Sequence, residues 1–208
     1  MSEMAKLTLY HAAPSRSSMV RWMLEELGEP YDLHVLALFK GEQRKADYLE
    51  INPMGKVPAL KHGDVIITEA AAICTYLADE FPNTKLNVSV GDPQRGPYLK
   101  WLFFAPGCIE PAITDRGSPR KEEPHRGKLG YGDFDLVMSV TAKALEPGPY
   151  LLGEHFTAAD VVVGSTLRWG MLTKMVPERP EFVAYVGRLA QRPAMQRVVA
   201  LDSELTDG

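Results

Sequence analysis

The stretch NPMGKVPAL at residues 52–60, followed by TEAAAICTYL at residues 68–77, decides the fold of this chain. It joins a turn, two short strands and the start of a helix. Pro58 has no backbone donor, and a proline in a bend directly before a strand is predicted to be cis. That bend would leave the backbone of Val57 free to pair with an extended ligand.

The helix that follows the second of these two short strands is predicted to begin at Glu69 and Ala70 and to end before Pro82. The free N–H groups and the positive dipole end at the start of a helix attract carboxylates. Together with an open backbone at Val57, this indicates a layout suited to binding a peptide.

The residues upstream complete an α/β pattern. LTLY at residues 7–10 reads as a strand, and helix-spaced apolar residues then run to Gly28, a good helix stop. The next strand follows after that helix, so the first three elements predict a βαβ unit with parallel strands. The full order is β-α-β-α-β-β-α, with strands at 7–10, 31–36, 57–61 and 65–68 and later helices at 44–50 and 70–80.

The rest of the sequence shows the apolar spacing of helices and lacks the alternation of apolar and polar residues that is typical of strands. Breakers and polar residues are concentrated between Pro82 and Gly96, which indicates a linker. We expect a first domain at residues 1–82, a linker at 83–92 and an all-helical domain at 93–208. The predicted helices of the second domain lie at residues 97–104, 125–145, 158–175, 181–191 and 194–201.

Composition excludes several classes of protein. The 208 residues carry a formal net charge of −4, which argues against a nucleic-acid partner. The longest uncharged apolar runs, such as residues 161–167, are far shorter than the roughly 20 residues needed to cross a bilayer. The two cysteines form no C-x-x-C pair, so we expect neither a disulfide framework nor a metal site. Residues 1–6 lack the apolar core of a secretory signal, which favours a cytoplasmic location.

Three motifs in order carry a family resemblance: NPMGKVPAL, TEAAAICTYLADEFP at residues 68–82, and LLGEHFTAAD at residues 151–160. The chain resembles cytosolic glutathione transferases over nearly its whole length, and its first helix is similar to those of bacterial, serine-type, theta-like members. The resemblance implies an α/β thioredoxin-like N-terminal domain followed by an all-α C-terminal domain. In the third motif, Thr157 and Asp160 fit a helix capping box, a structural role.

The resemblance places the activating hydroxyl after the first strand. Glutathione reacts as the thiolate, whereas a free thiol has a pKa of about 8.5. A hydroxyl donor at the start of the first helix would stabilise that anion. Ser15 is our first candidate, Ser17 the second, and Ser18 stays open; Tyr10 ranks lower because it lies inside the strand. The alternative is that these serines only cap the helix.

The other expected glutathione contacts also follow from the resemblance. Glu69 matches the family's ligand for the amino group, but Ala70 replaces the usual serine, so backbone N–H groups or Thr68 would have to bind the γ-glutamyl carboxylate. The cysteinyl backbone would pair with Val57 beside Pro58. The side chains expected to reach the glycine carboxylate are Gln43, Arg44 and Lys56, although solvated surface charge is an equal alternative for the two cations.

The electrophile is expected against the helical half. Aromatic residues and a cysteine gather on one predicted helix and its continuation, and most of them should belong to the core. Our candidates for contact with the electrophile are Trp101, Phe104 and Cys108. Cys74 lies in an apolar helix pattern and is expected to be a buried structural thiol.

The function implied is that of a glutathione transferase, activating the thiolate for attack on small hydrophobic electrophiles. Glutathione would be a co-substrate and no prosthetic group is expected; the resemblance further implies a homodimer and a role in detoxification. Two alternatives stay open. One uses the same site for peroxide or disulfide reduction or for isomerisation, and the other is a non-catalytic binding protein with the same fold, for which Ala70 is the one hint.

Overall fold

The computed structural model describes residues 6–122 and 124–206. The cytoplasmic expectation depends on residues 1–5, which lie outside the described residues. The chain divides into two compact units. Unit 1 contains the described residues up to Thr84 together with those from Arg192 onward, and unit 2 contains those from Lys85 to Gln191.

Unit 1 is built on a four-stranded mixed sheet of order β2-β1-β3-β4. β1 and β2 are parallel, with Leu7 opposite Tyr31, while β3 is antiparallel to both β1 and β4. This confirms the predicted thioredoxin-like half. The strands are β1 (Leu7–His11), β2 (Tyr31–Val35), β3 (Ala59–His62) and β4 (Val65–Thr68).

Helices cover the sheet of unit 1. α1 (Ser17–Leu27) ends as predicted at Gly28, which has φ 73° and donates its N–H to the carbonyl of Leu24. α2 (Ala46–Ile51) begins two residues later than predicted, after two 3-10 turns, and α3 (Ala70–Glu80) has the predicted bounds.

The C-terminal helix α9 (Pro193–Thr206) also belongs to unit 1, which corrects the expected domain of residues 93–208. It packs along α1. Polar pairs join the two helices: Asp202 accepts from Ser18 and Arg21, and Arg197 pairs with Glu25. The sequence could not reveal this assignment, because each pair joins residues more than 170 positions apart.

Unit 2 is helical, as predicted. Its helices are α4 (Arg95–Phe104), α5 (Glu110–Gly117), α6 (Phe134–Ala144), α7 (Ala158–Leu172) and α8 (Pro180–Ala190). A π-helical turn at Ala105–Ile109 joins α4 to α5. The predicted linker at 83–92 lies mostly in this unit, where the carbonyl of Leu86 accepts from the N–H of Ala158 at 2.8 Å.

The predicted helix at residues 125–145 is wrong at residues 125–133. α6 begins only at Phe134, where the carboxylate of Asp133 caps it by accepting from the N–H of Leu136 at 2.8 Å. Glycines at positions 127, 130 and 132 interrupt the preceding segment, and glycine is unfavourable in helix interiors.

The capping box at the start of α7 is present as predicted. Asp160 is fully buried, and its Oδ2 accepts from the N–H of Thr157 at 2.9 Å. Its Oδ1 accepts from the N–H of Leu151 and from the hydroxyl of Tyr185, each at 2.9 Å. Asp160 thus fixes three separate segments of unit 2.

Among the helices of the described residues, none is long and apolar enough to cross a membrane. The same part of the chain contains no group of three or more His, Cys, Asp or Glu side chains placed to hold a metal ion.

Candidate active site

The turn between β1 and α1 is organised around the buried hydroxyl of Ser17. Its Oγ accepts from the N–H of Ala12 at 3.0 Å and can donate to the carbonyl oxygen of the same residue, also at 3.0 Å. It also lies 2.9 Å from Nδ1 of His11 and 2.7 Å from Oγ of Ser15. Since Ser17 and His11 are both 0% exposed, neither side chain can touch a ligand directly.

Ser15 is the partly exposed member of this group. Its Oγ accepts a hydrogen bond of 3.0 Å from the N–H of Ser17. A ligand atom at the start of α1 would therefore meet the hydroxyl of Ser15. Ser18 is directed elsewhere, because its hydroxyl donates to Oδ2 of Asp202 at 2.5 Å.

Tyr10 lies within β1, as expected, and its ring contacts other rings. The ring centroid is 5.1 Å from that of His34 on β2 and 5.7 Å from that of Tyr48 on α2. The geometry therefore favours Ser15 among the four hydroxyls considered.

The loop before β3 is held in place by α2. The carbonyl of Lys56 accepts from the hydroxyl of Tyr48 at 2.6 Å and from the side-chain amide of Asn52 at 2.8 Å. Burial raises the pKa of Tyr48 to about 12, so its hydroxyl stays a donor. Asn52 also accepts from the N–H of Met54 at 3.1 Å, so this loop is ordered before any ligand binds.

The peptide bond between Val57 and Pro58 is cis, as predicted. Val57 stands two residues before Ala59, whose pairing with Tyr10 is the last of the β1–β3 register. Its backbone thus lies beyond the sheet ladder at the end of β1 from which α1 also departs.

The same loop meets the segment before α2 at Gly55. This residue has φ 61°, and a Cβ there would come within 2.9 Å of the carbonyl oxygen of Gln43, so glycine is required. In the part of the chain that the structure describes, Oε1 of Gln43 is buried without a hydrogen-bond partner. Arg44 and Lys56 are both exposed.

Glu69, directly before α3, has an unusual backbone. Its φ is 69° and its ψ is 114°, a conformation that costs a non-glycine residue free energy. Its side chain is exposed and makes no capping hydrogen bond, so helix capping does not explain it. The structure confirms that Ala70 is the first residue of α3.

The residues expected at the electrophile site differ in exposure. Trp101 is only 4% exposed and packs edge-on against Phe104, which corrects the expectation that it lines a site. Phe104 and Cys108 are partly exposed, and burial raises the pKa of the Cys108 thiol. Cys74 is fully buried in α3 as predicted, and burial raises the pKa of its thiol too.

Sequence reasoning missed two members of the polar group around Ser15. His11 ends β1, where it reads as one more strand residue. Asp202 lies on α9, and its Oδ1 is 3.2 Å from Nε2 of His11. The ring is not aligned for a hydrogen bond with that oxygen, so the two atoms are close neighbours without a hydrogen bond.

Comparisons with known proteins agree with this fold. A family model described as the N-terminal domain of glutathione S-transferase matches residues 15–80. The chain is 30% identical over 167 residues to glutathione S-transferase hmp2 of Hypomyces subiculosus, covering 74% of this chain and 78% of that one. The chain belongs to the glutathione S-transferase family.

Solved structures show the same architecture. A glutathione transferase from Methylococcus capsulatus is 29% identical with a TM-score of 0.78, covering 95% of this chain and 99% of that one. A glutathione transferase homologue from Sulfitobacter, solved with bound glutathione, is 27% identical with a TM-score of 0.74, covering 95% and 99%.

Proposed function

We propose that this protein is a glutathione transferase in which Ser15 stabilises the glutathione thiolate for attack on hydrophobic electrophiles. The observation that carries the proposal is the hydroxyl of Ser15, which is partly exposed at the start of α1 and is held by the N–H of Ser17. That N–H occupies one acceptor position of Oγ, and the hydroxyl proton can be donated either to Oγ of Ser17, 2.7 Å away, or to an anion.

The free energy required is within reach of one hydrogen bond. Lowering a thiol pKa by one unit takes about 1.4 kcal/mol, and a hydrogen bond to a charged group contributes about 1.5–3 kcal/mol. The dipole of α1, an 11-residue helix, acts in the same direction. Ser15 is therefore sufficient without a metal or a prosthetic group.

Glutathione would lie along the edge formed by the β3 loop and α3. Its cysteinyl backbone would pair with Val57, and the first N–H groups of α3 would bind the γ-glutamyl carboxylate in place of the hydroxyl that Ala70 lacks. Glu69 would accept from the amino group. The strained backbone of Glu69 supports this role, since such conformations are concentrated at functional sites.

The glycine carboxylate would be bound from the α2 side. Gln43 stands against the β3 loop at Gly55, and Arg44 and Lys56 have exposed cationic side chains. The side chains of Arg44 and Lys56 are open to solvent, whereas that of Gln43 is only partly exposed and its Oε1 is buried without a hydrogen-bond partner. Their contribution would be to affinity for glutathione.

For the electrophile, Phe104 and Cys108 remain our candidates because both are partly exposed. The raised pKa of the Cys108 thiol argues for an apolar contact rather than a nucleophile. From the family resemblance we also propose a homodimer, a cytoplasmic location and a role in detoxification. Light scattering after size exclusion tests the dimer directly.

The test is conjugation of glutathione to a reactive aryl halide. Ser15→Ala should lower kcat roughly 10- to 100-fold and leave the glutathione Kd within a fewfold, because the hydrogen bond strengthens only for the thiolate. Ser203→Ala, on the exposed face of α9, is the matched control and should have no effect. An unchanged rate in Ser15→Ala would contradict the proposal.

A further inference from the structure

Four polar side chains form a continuous line from the partly exposed Ser15 to the carboxylate of Asp202, which is largely but not fully buried. Oγ of Ser15 lies 2.7 Å from Oγ of Ser17, which lies 2.9 Å from Nδ1 of His11. On the far side of the imidazole, Nε2 lies 3.2 Å from Oδ1 of Asp202. We call these four residues the serine–histidine line.

The inner part of the line is closed to solvent. Ser17 and His11 are 0% exposed, and the side chain of Asp202 is 17% exposed. The two serines are therefore the side-chain connection between the imidazole and a ligand at Ser15.

Asp202 remains a carboxylate in this setting. Burial alone would raise its pKa, but the neighbouring side chains of His11, Ser18 and Arg21 together lower it. The carboxylate would therefore stabilise a proton gained by the imidazole.

The charged groups around His11 come from two helices. Asp202 faces it from α9, and Arg21 of α1 binds the same carboxylate oxygen at 2.7 Å. Tyr31 of β2 stands behind Arg21, with its hydroxyl 3.4 Å from Nε. Arg21 would repel a positive imidazole and Asp202 would attract it.

The hydroxyl of Ser17 has one proton to donate and two acceptor positions. The N–H of Ala12 occupies one acceptor position permanently. The second position can be filled by the hydroxyl of Ser15 or by a protonated Nδ1 of His11, but not by both. The protonation state of His11 therefore decides which way the proton of Ser15 points.

With a neutral imidazole, the nearby carboxylate favours a proton on Nε2, which leaves Nδ1 as an acceptor. Ser17 can then donate to Nδ1 at 2.9 Å or to the carbonyl oxygen of Ala12 at 3.0 Å, and in either case it can accept from Ser15. In this state the proton of Ser15 points inward, away from a ligand.

We propose that the serine–histidine line carries the thiol proton of bound glutathione to His11. The S–H bond breaks and its proton passes to Oγ of Ser15. The inward proton of Ser15 passes to Oγ of Ser17, and the proton of Ser17 passes to Nδ1 of His11. The products are a thiolate, two neutral serines and an imidazolium facing Asp202, with no proton gained or lost overall.

The end state is suited to holding the thiolate. The imidazolium Nδ1–H and the N–H of Ala12 now fill both acceptor positions of Ser17. Ser15 can then no longer donate inward, and its proton points at the sulfur. His11 is thus a positioning residue that acts on the ligand only through Ser17 and Ser15.

This inference rests on the proposed function, since it assumes that glutathione binds at Ser15. The experiment compares two quantities at about pH 7.5: thiolate formed, from its ultraviolet absorbance, and protons released to a weakly buffered indicator dye. S-methylglutathione, which has no thiol proton, gives the protons exchanged by the rest of the ligand. The difference is the number of protons released per thiolate formed.

A relay to His11 predicts a ratio close to zero in the unmodified protein, because the proton stays on the imidazole. A ratio close to one would overturn the relay and leave the proposed function standing. If no thiolate forms, both the proposed function and this inference fail. The unmodified protein alone therefore distinguishes a relay to His11 from release of the proton to solvent.

Three variants test the relay further. His11→Asn keeps a donor near Ser17 but cannot take up a proton, so the ratio should rise to about one. His34→Asn, the same change on the neighbouring strand, is the control and should leave the ratio near zero. Asp202→Asn should raise the ratio above that of the unmodified protein, and it serves as the second test if His11→Asn does not fold. An unchanged ratio in a folded His11→Asn protein would overturn the relay.

Discussion

Arg192 holds Glu26 of α1 through two parallel hydrogen bonds. Its Nε lies 2.6 Å from Oε1 of Glu26 and its Nη2 lies 2.8 Å from Oε2. The same Oε1 accepts from the indole N–H of Trp22 at 2.9 Å. Because Arg192 directly precedes α9, this pair fixes where the C-terminal helix begins within unit 1.

The first prediction compares two arginines that bind neighbouring glutamates. The side chain of Glu26 is 8% exposed, so Arg192→Ala leaves a nearly buried charge without its cation and should cost about 2 kcal/mol. Arg197→Ala removes a half-exposed partner of Glu25 and should cost less than about 1 kcal/mol. Urea unfolding measures the free energy of unfolding of both variants. Equal losses would contradict the larger contribution that we assign to the pair of Arg192 and Glu26.

The second prediction concerns pH. The pKa of Asp202 lies below its ordinary value of 3.8 in the folded protein, because its hydrogen bonds outweigh the effect of burial. The charged carboxylate therefore stabilises the folded protein fully at pH values above 3.8, the pKa of an ordinary aspartate. This stabilisation is lost as the pH falls through the lower pKa that Asp202 has in the folded protein.

Asp202→Asn should accordingly be less stable than the unmodified protein at pH 6, and the gap should shrink at pH 3. Urea unfolding at the two pH values gives the free energies of unfolding. A gap that stays constant would show that the carboxylate charge does not contribute.

The third prediction separates binding from backbone strain at Glu69. Glu69→Ala and Glu69→Gly should both raise the Kd for glutathione, because each removes the carboxylate. Glycine adopts φ 69° without strain. The free energy of unfolding of the glycine variant should therefore be about 1 kcal/mol higher than that of the alanine variant. Calorimetric titration and urea unfolding measure the two effects, and unchanged glutathione binding would show that the amino group lies elsewhere.

The fourth prediction restores a hydroxyl at the start of α3. Ala70→Ser should lower the Kd for glutathione about fivefold, equivalent to about 1 kcal/mol, because the new hydroxyl can donate to the γ-glutamyl carboxylate. Ala72→Ser, on the exposed face of the same helix, is the control. Equal effects of the two changes would contradict our placement of that carboxylate.

Much of unit 1 could be predicted from the sequence because its signals are local. The alternation of β1, the helix spacing up to Gly28 and the breakers around β3 and β4 each lie within a few residues. The same reasoning failed at residues 125–133, where glycines interrupt the segment and α6 begins only at Phe134.

The candidate site was predicted only in part. Ser15 and Glu69 are candidates because the family resemblance points to them. The roles of His11 and Asp202 depend on a contact between residues 191 positions apart in the sequence, and no local pattern reports such a contact. The positive φ of Glu69 was also hidden, since glycine is the residue that normally marks such a position.

The most direct test of the account is a pH titration of the ultraviolet thiolate absorbance of glutathione with saturating protein. A free thiol ionises at about pH 8.5. The account predicts that thiolate appears at least about one pH unit lower in the complex, and that Ser15→Ala moves the midpoint back towards the free value. Glutathione bound without any such thiolate would contradict the claim that this protein activates it.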